Sequence, residues 1–384
     1  MVSASYYIDP DADTVIVLTN ACTVFAPWDP ICADTPADLP GDDHGLDSSV
    51  PMMGTKLEEA SLEDGSPSGP PTALPEPEDN EIRYYVSSRH LMLASPVFRS
   101  ALKEEGFAES TRNEGDGLFH IPAKDWDESA FLIVLQIIHL RNKAVPRTVD
   151  LEMLAKIAVV VDFYDCEEAL ELFSKLRLID LDRRTRIPAE YCRDLVLWIW
   201  VGWVFNSKAI FRSATLVAIQ KSPEALRTLG LPIPAHISDE IDSMRSQAIE
   251  SMIQGLHLML GRYRSANYVC VEDGTQTSLC GSLLLGTLTR EMDSLAILTP
   301  CPENPFSALS VDSVCEKIEG IQSPEWVSYS EGVSHRRRNY MQKHPCSLTP
   351  AIESLKSDVT ATVVGLDIFH LKKIHLDAAG RLVP

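Results

Sequence analysis

The segment from Tyr84 to Phe98 constrains the fold more than any other part of this 384-residue chain. Its first residues, Tyr84-Tyr85-Val86, are typical of a short strand, and the chain passes from them directly into an apolar helix that ends near the step Ser95-Pro96. The segment carries no nucleophile, metal-ligand set or phosphate-binding loop. It therefore predicts a packed unit of strand and helix, and it gives no indication of catalysis.

Similar elements flank this segment on both sides. Residues 12 to 25 predict a strand, a turn and a second short strand near Val24-Phe25. The pattern after residue 88 predicts a helix from Arg89 to Lys103, a strand from Leu118 to Pro122, a helix capped by Asp125 or Asp127 that runs to Leu140, a helix capped by Asp150, and a helix from Cys166 to Leu178. The predicted fold class of this half is α+β.

Residues 30 to 80 differ from the rest of the chain. They hold nine of the 25 prolines and no sustained apolar period, and the range from Asp29 to Glu81 holds 14 acidic residues against Lys56 alone. Such a composition cannot bury enough apolar surface to offset chain entropy. We expect a disordered acidic insertion here, which an otherwise compact fold tolerates because closure entropy grows slowly with loop length.

The C-terminal half predicts an all-α domain from residue 181 to 384. Helices are expected at about 188–206, 207–221, 238–262, 280–296, 310–321 and 350–372. The run from Leu195 to Phe205, with Trp198, Trp200 and Trp203, is apolar all round and predicts a buried helix. The stripe of Met244, Ala248, Met252, Leu256 and Met259 predicts a core face. Gly281 and Gly286 are expected to be packing points.

Composition excludes several classes of protein. The net charge of −21 argues against a general nucleic-acid surface, which needs basic patches. The longest apolar run is 11 residues, whereas a bilayer span needs about 20. No N-terminal secretory pattern is present, and the nine cysteines contain no C-x-x-C pair. Together these features predict an intracellular, cytoplasmic or nuclear protein with reduced thiols. No G-x-S-x-G, H-E-x-x-H or P-loop motif occurs, so we expect no enzyme activity and no cofactor.

The order of predicted elements resembles the BTB/POZ domain. The residues that carry the resemblance are Asp13 before the first strand, Leu91 to Phe98, the entry Asp125-Trp126-Asp127 to Phe131, and Leu154 to Cys166. The amino-acid sequences of Val86 to Leu91 and of Trp126-Asp127 are most similar to those of BTB proteins from filamentous fungi. The resemblance covers residues 10–29 and 81–178. It implies a BTB/POZ-like domain over residues 10–180, in a family that binds proteins and forms homodimers.

The resemblance implies two sets of protein-binding residues. Phe107 and Glu109 form a hydrophobic-x-Glu triplet after the helix that ends the Tyr84–Phe98 segment, where family members that recruit a cullin ubiquitin-ligase scaffold carry one. An ordinary amphipathic loop is the alternative. Asp13 and Arg89 match positions that line a charged pocket in some BTB dimers, and two solvated charges are the alternative interpretation there.

Two further clusters leave alternatives open. Cys270, Cys280, His344 and Cys346 are the residue types of a zinc site, but their spacings match no standard zinc motif, so core thiols and a surface histidine are the favoured interpretation. The basic run from His335 to Arg338 suits an acidic partner or nuclear import, with a solvated loop as the alternative.

The sequence therefore predicts a non-catalytic protein–protein interaction module that dimerises or acts as a scaffold. Two alternative hypotheses remain: a substrate adaptor of a cullin-based ubiquitin ligase, and a nuclear regulatory protein. The expected partners are proteins, including a second copy of the chain or a cullin, without direct binding to nucleic acid or membrane.

Overall fold

The computed structural model describes residues 4–28, 81–103, 108–330 and 340–374. The predicted disordered insertion at residues 30–80 lies outside the described residues, and so do Phe107 and Arg336 to Arg338. The described chain is a mixed α/β structure with a small sheet and many helices, compatible with the predicted α+β class.

A four-stranded sheet forms the N-terminal part. The strands are β1 (Ser5–Tyr7), β2 (Thr14–Thr19), β3 (Ile82–Val86) and β4 (Phe119–Lys124), in the order β1-β3-β2-β4. Strand β3 runs parallel to β1 and antiparallel to β2, and β2 runs parallel to β4. Ile16 on β2 lies opposite Tyr84 and Ile121, and all three are buried, as the two-residue period of a strand requires. Strand β1 was not predicted, and no strand forms at Val24-Phe25.

Five helices belong to the same part of the molecule, and the third of them packs on strand β3. They are α1 (Ser88–Ala94), α2 (Pro96–Lys103), α3 (Glu128–Ile138), α4 (Leu151–Tyr164) and α5 (Glu167–Arg184). Asp127 and Asp150 cap α3 and α4 by accepting hydrogen bonds from the backbone amides of Ala130 and Met153, as the sequence predicted.

The expected end of a helix near Ser95-Pro96 is confirmed, and the single helix predicted from Arg89 to Lys103 is wrong, because the helical backbone is interrupted at Ser95. Ser95 is extended and Pro96 opens α2, a position where its missing amide hydrogen costs no bond. The hydroxyl of Ser95 donates to the carbonyl of Tyr164 and accepts from the amide of Phe98. The break therefore fastens α2 to the end of α4.

The C-terminal part is built mainly of helices. They are α6 (Arg193–Val204), α7 (Lys208–Lys221), α8 (Ala235–Arg264), α9 (Thr277–Ser294), α10 (Val311–Glu319), α11 (Thr349–Thr362) and α12 (Ile368–Ile374). Ten of the twelve residues of α6 are buried, which confirms the predicted buried helix. The stripe along α8 faces the core at Ala248, Met252 and Leu256.

The C-terminal part is not all-α, which corrects the prediction. Strands β5 (Val327–Ser330) and β6 (Tyr340–Lys343) pair as an antiparallel hairpin. The predicted helix at 350–372 is two helices, α11 and α12, separated by extended residues around Gly365. A Cβ at Gly365 would lie 1.9 Å from the carbonyl oxygen of Arg212, so only glycine permits this approach to α7.

Helix α4 joins the two parts of the molecule. The indole nitrogen of Trp200 on α6 donates to the carbonyl of Ala155 on α4 at 3.3 Å. Arg193 at the start of α6 donates to the carbonyls of Phe25 and Ala26 and pairs with Glu152 on α4. One set of buried apolar residues extends through both parts, and the predicted boundary after residue 180 falls within α5. None of the helices in the described ranges combines the length and apolarity that a membrane crossing requires.

Candidate functional site

Four potential metal ligands meet in the C-terminal part. They are Cys270 in the loop after α8, Cys280 in the first turns of α9, His344 directly after β6, and Cys346 before α11, and their donor atoms all lie within 4.8 Å of one another. The Sγ of Cys270 is 3.3 Å from Nε2 of His344 and 3.6 Å from Sγ of Cys346. The first three residues are buried, and Cys346 is partly buried.

Neighbouring polar groups lie within hydrogen-bonding distance of two of these sulfur atoms. The backbone amide of Asp273 donates to Sγ of Cys270 at 3.4 Å, and the hydroxyl of Tyr268 lies 3.3 Å from Sγ of Cys280. The indole of Trp326 stacks on the His344 ring, and the backbone carbonyl of Trp326 accepts a hydrogen bond from the His344 amide. These contacts fix both the thiol and the imidazole positions.

The thiols of this cluster differ in acidity. Burial raises the pKa of Cys280, and burial together with the neighbouring cysteines raises the pKa of Cys346 to about 12. Burial also opposes ionisation of Cys270, yet hydrogen bonds from the amides of Asp273 and Glu272 lower the pKa of its thiol. Without a bound cation, therefore, this environment disfavours the ionisation of several of these thiols at once.

The favoured interpretation of these four residues as core thiols and a surface histidine is wrong for the histidine, while Cys270 and Cys280 are buried as expected. His344 is only 3% exposed, and the fold brings all four donor atoms together. The hairpin β5–β6 returns the chain to the start of α9 across 64 residues of sequence. Local spacing could not reveal this, because tertiary packing rather than a short loop closes the cluster.

The structure gives Asp13 a defined role at the start of α1. Its carboxylate accepts from the Ser88 amide at 2.7 Å and from the Ser88 hydroxyl at 2.6 Å, and it lies 3.8 Å from the guanidinium of Arg112. Although burial opposes it, these bonds lower the pKa of Asp13. The carboxylate thus acts as a cap supplied by the residue directly before strand β2.

Two of the other predicted binding residues, Arg89 and Glu109, are at least partly exposed. Arg89 follows Ser88 on α1 and is exposed, and the basic side chain that lies beside Asp13 is that of Arg112. Glu109 lies in a short 3₁₀ helix (Ala108–Ser110) and is partly exposed. The pocket of Asp13 and Arg89 stays a prediction. The cullin-binding triplet and the nuclear hypothesis also stay predictions, since Phe107 and the basic run lie outside the described residues.

Helix α5 presents a second kind of candidate site. Its buried residues include Leu170, Phe173, Leu178 and Leu181, which face the core. The opposite face exposes Leu172 by 73%, Leu176 by 51% and Ile179 by 52%. Spacings of four and three residues place these three side chains in one stripe, which we call the α5 stripe.

The apolar pattern predicts a helix from Cys166 to Leu178, but it does not distinguish the two faces of α5. The available signal was that apolar residues occupy both sides of α5, which is unusual for a helix with charged residues at a third or more of its positions.

Comparison of the chain with protein-family models, with curated proteins and with solved structures finds no match.

Proposed function

We propose that this protein is a non-catalytic protein–protein interaction module that associates with a second copy of itself through the α5 stripe. The observation that carries the proposal is the exposure of Leu172, Leu176 and Ile179 on one helix face. Contiguous apolar side chains on a protein surface commonly mark an interface.

Charge along the same face favours a second copy as the partner. Glu168 lies one turn before Leu172, Arg183 lies one turn after Ile179, and both are exposed. If two α5 helices pack antiparallel about a two-fold axis near Leu176, Glu168 of each copy faces Arg183 of the other. Leu172 then faces Ile179 of the second copy. A self-complementary surface of this kind is what a two-fold interface requires.

The order of the strands and helices supports a BTB/POZ-like domain as the class of this interaction module. Strands β2 and β3, the helix pair α1–α2, strand β4 and helices α3, α4 and α5 follow one another as the BTB/POZ resemblance implies. Asp127 caps α3 at the helix entry on which the resemblance is based, and Asp150 caps α4, the helix that contains Leu154. A BTB/POZ-like interaction domain is the specific form of the proposal.

The size of the stripe predicts modest affinity. Fully burying an apolar side chain of this size contributes roughly 1.5–3 kcal/mol, and these side chains are already partly covered in one copy. Association costs about 4–15 kcal/mol in lost translational and rotational freedom. Six partly buried side chains offset only the lower part of this range, so dimer formation should depend on concentration.

Sedimentation velocity over a concentration series tests the proposal. The full-length chain should shift from 42.5 kDa towards twice that mass as concentration rises. Leu176→Glu should remain monomeric, because it places a carboxylate at the centre of the apolar contact. Leu258→Glu is the control, since Leu258 is a leucine on α8 that is 75% exposed, more than Leu176, and this variant should dimerise normally.

A wild-type chain that stays monomeric at every concentration would contradict the proposal. So would an unchanged dimer in the Leu176→Glu variant, which would place the interface elsewhere on the molecule.

A further inference from the structure

We propose that Cys270, Cys280, His344 and Cys346 form a structural zinc site. This inference does not depend on the proposed dimer, because the cluster lies in the C-terminal part, away from the α5 stripe in sequence. Three segments supply the ligands: the loop after α8, the start of α9, and the chain that leaves β6.

The spacing of the donor atoms fits a tetrahedral metal. Zinc–sulfur bonds of about 2.3 Å and zinc–nitrogen bonds of about 2.0–2.1 Å imply roughly 3.8 Å between sulfurs and roughly 3.6 Å from sulfur to nitrogen. The contacts of Cys270 with Cys346 and with His344 are 3.6 Å and 3.3 Å, and no donor pair exceeds 4.8 Å. Small movements of side chains would complete the tetrahedron.

Apolar packing alone does not account for the cluster. Three of the eight cysteines in the described residues converge with a buried imidazole on one point. A buried histidine normally satisfies its ring nitrogens with oxygen or nitrogen partners, whereas Nε2 of His344 is directed at a thiol sulfur. The other buried cysteines, such as Cys166 and Cys315, lie among different neighbours.

The surrounding groups suit bound thiolates. The amide of Asp273 donates to Sγ of Cys270, and the Tyr268 hydroxyl is placed to donate to Sγ of Cys280. Cys280 also lies in the first turns of α9, where the helix dipole favours negative charge. Such outer hydrogen bonds orient the ligands of metal sites and stabilise their charge.

The ligand set selects the metal and its role. Three thiolates with one imidazole form a standard tetrahedral zinc set, whereas magnesium and calcium prefer oxygen ligands. Four protein ligands leave no position for water or substrate, which is the arrangement of structural sites. A zinc ion here would fasten the end of the β5–β6 hairpin to α9.

The first experiment is metal analysis of the full-length protein, purified without chelator and without a histidine tag. We expect one zinc per chain by elemental analysis and by native mass spectrometry. Replacement by Co²⁺ should give thiolate-to-cobalt charge-transfer bands and the d–d bands of tetrahedral cobalt. These measurements need no variant, so they hold even where substitutions impair folding.

Variants then assign the ligands. Cys280→Ala and His344→Ala should lose bound zinc, whereas His344→Cys should retain it because a fourth thiolate replaces the imidazole. The matched controls are Cys315→Ala, which removes a buried thiol elsewhere, and Cys301→Ala, which removes an exposed one. Both controls should keep the full zinc content.

Metal-free, folded wild-type protein that takes up neither zinc nor cobalt would overturn the proposal. A disulfide between Cys270 and Cys346 in freshly prepared protein, detected by mass spectrometry after alkylation of free thiols, would also overturn it. Equal loss of zinc in the ligand variants and the controls would contradict the assignment of these four residues.

Discussion

Single polar side chains position the helix that follows strand β3. The carboxylate of Asp13, directly before strand β2, accepts hydrogen bonds from the amide and the hydroxyl of Ser88. The imidazole of His139, at the end of α3, accepts from the Ser87 amide at 2.9 Å through Nε2. Two distant residues therefore satisfy the backbone at the start of α1, where Ser87 makes no side-chain cap of its own.

Asp13→Ala should destabilise the protein by about 1–3 kcal/mol, because it leaves the buried Ser88 donors without an acceptor. Chemical denaturation at neutral pH measures the change. Asp11→Ala is the control, since Asp11 is an exposed acid two residues away, and it should have little effect. Equal effects of the two variants would refute the capping role.

The lowered pKa of Asp13 also fixes a pH dependence. The unfolded chain takes up the proton more readily than the folded chain. This carboxylate therefore stabilises the fold at pH values above its pKa in the unfolded chain, and the contribution is lost as the pH falls through its pKa in the folded chain. Denaturation measured from neutral to acid pH should show a shallower acid loss for Asp13→Ala than for wild type. Parallel curves would show that Asp13 is not linked to the acid transition.

His139 predicts a second loss of stability on acidification, which should begin at a higher pH than the loss due to Asp13. Burial lowers the pKa of His139, whose Nδ1 lies 2.8 Å from the Leu135 carbonyl and whose ring lies 5.0 Å from that of His90. Stability should fall as pH drops below the unfolded value of about 6.5, because only the unfolded chain takes up the proton readily.

The variant His139→Gln should flatten the slope of stability against pH in this window. His370→Gln, which replaces an exposed histidine of α12, should not change it. An identical slope in wild type and His139→Gln would remove the assignment.

The sequence predicted the local caps but not these distant contacts. Asp127 and Asp150 lie beside the amides they cap, so spacing along the chain was sufficient. Asp13 and His139 act across 75 and 52 residues. Only the fold shows which backbone groups they reach.

At the level of elements, packing decides what local pattern leaves open. Periodicity located most of the helices, and the Ser95-Pro96 step divides α1 from α2 because proline favours the first position of a new helix. Gly281 is a packing point as predicted, since a Cβ there would lie 2.9 Å from the Tyr268 ring. Gly286 is not, because a Cβ there would meet nothing within 4 Å.

Glycine substitutions test the contact between α6 and α7. A Cβ at Gly202 would lie 3.0 Å from the backbone nitrogen of Phe211, which cannot move independently of α7. Gly202→Ala should therefore destabilise by about 1–3 kcal/mol in thermal or chemical denaturation. Gly286→Ala, in the open interior of α9, should instead stabilise by about 0.5–1 kcal/mol. A neutral or stabilising Gly202→Ala would contradict the close approach.

At the scale of the whole molecule, the contacts that matter most join parts distant in sequence. The order of the predicted elements indicated the α+β class, and the apolar run from Leu195 to Phe205 predicted the buried helix α6. The sequence pattern went no further. It did not predict the β5–β6 hairpin, whose strands are short and whose pairing brings His344 and Cys346 to α9. Nor did it predict the α5 stripe, because a helical pattern does not specify which apolar face finds a partner within the chain.

A charge-exchange experiment tests the proposed self-association most directly. Antiparallel pairing about the two-fold axis places Glu168 opposite Arg183 of the second copy. Glu168→Arg and Arg183→Glu should each weaken the dimer by placing like charges together at both ends of the contact. The double variant should restore wild-type association in sedimentation velocity, because opposite charges meet again. Loss of association in both single variants and in the double variant would contradict this geometry, and so would no effect in any of them.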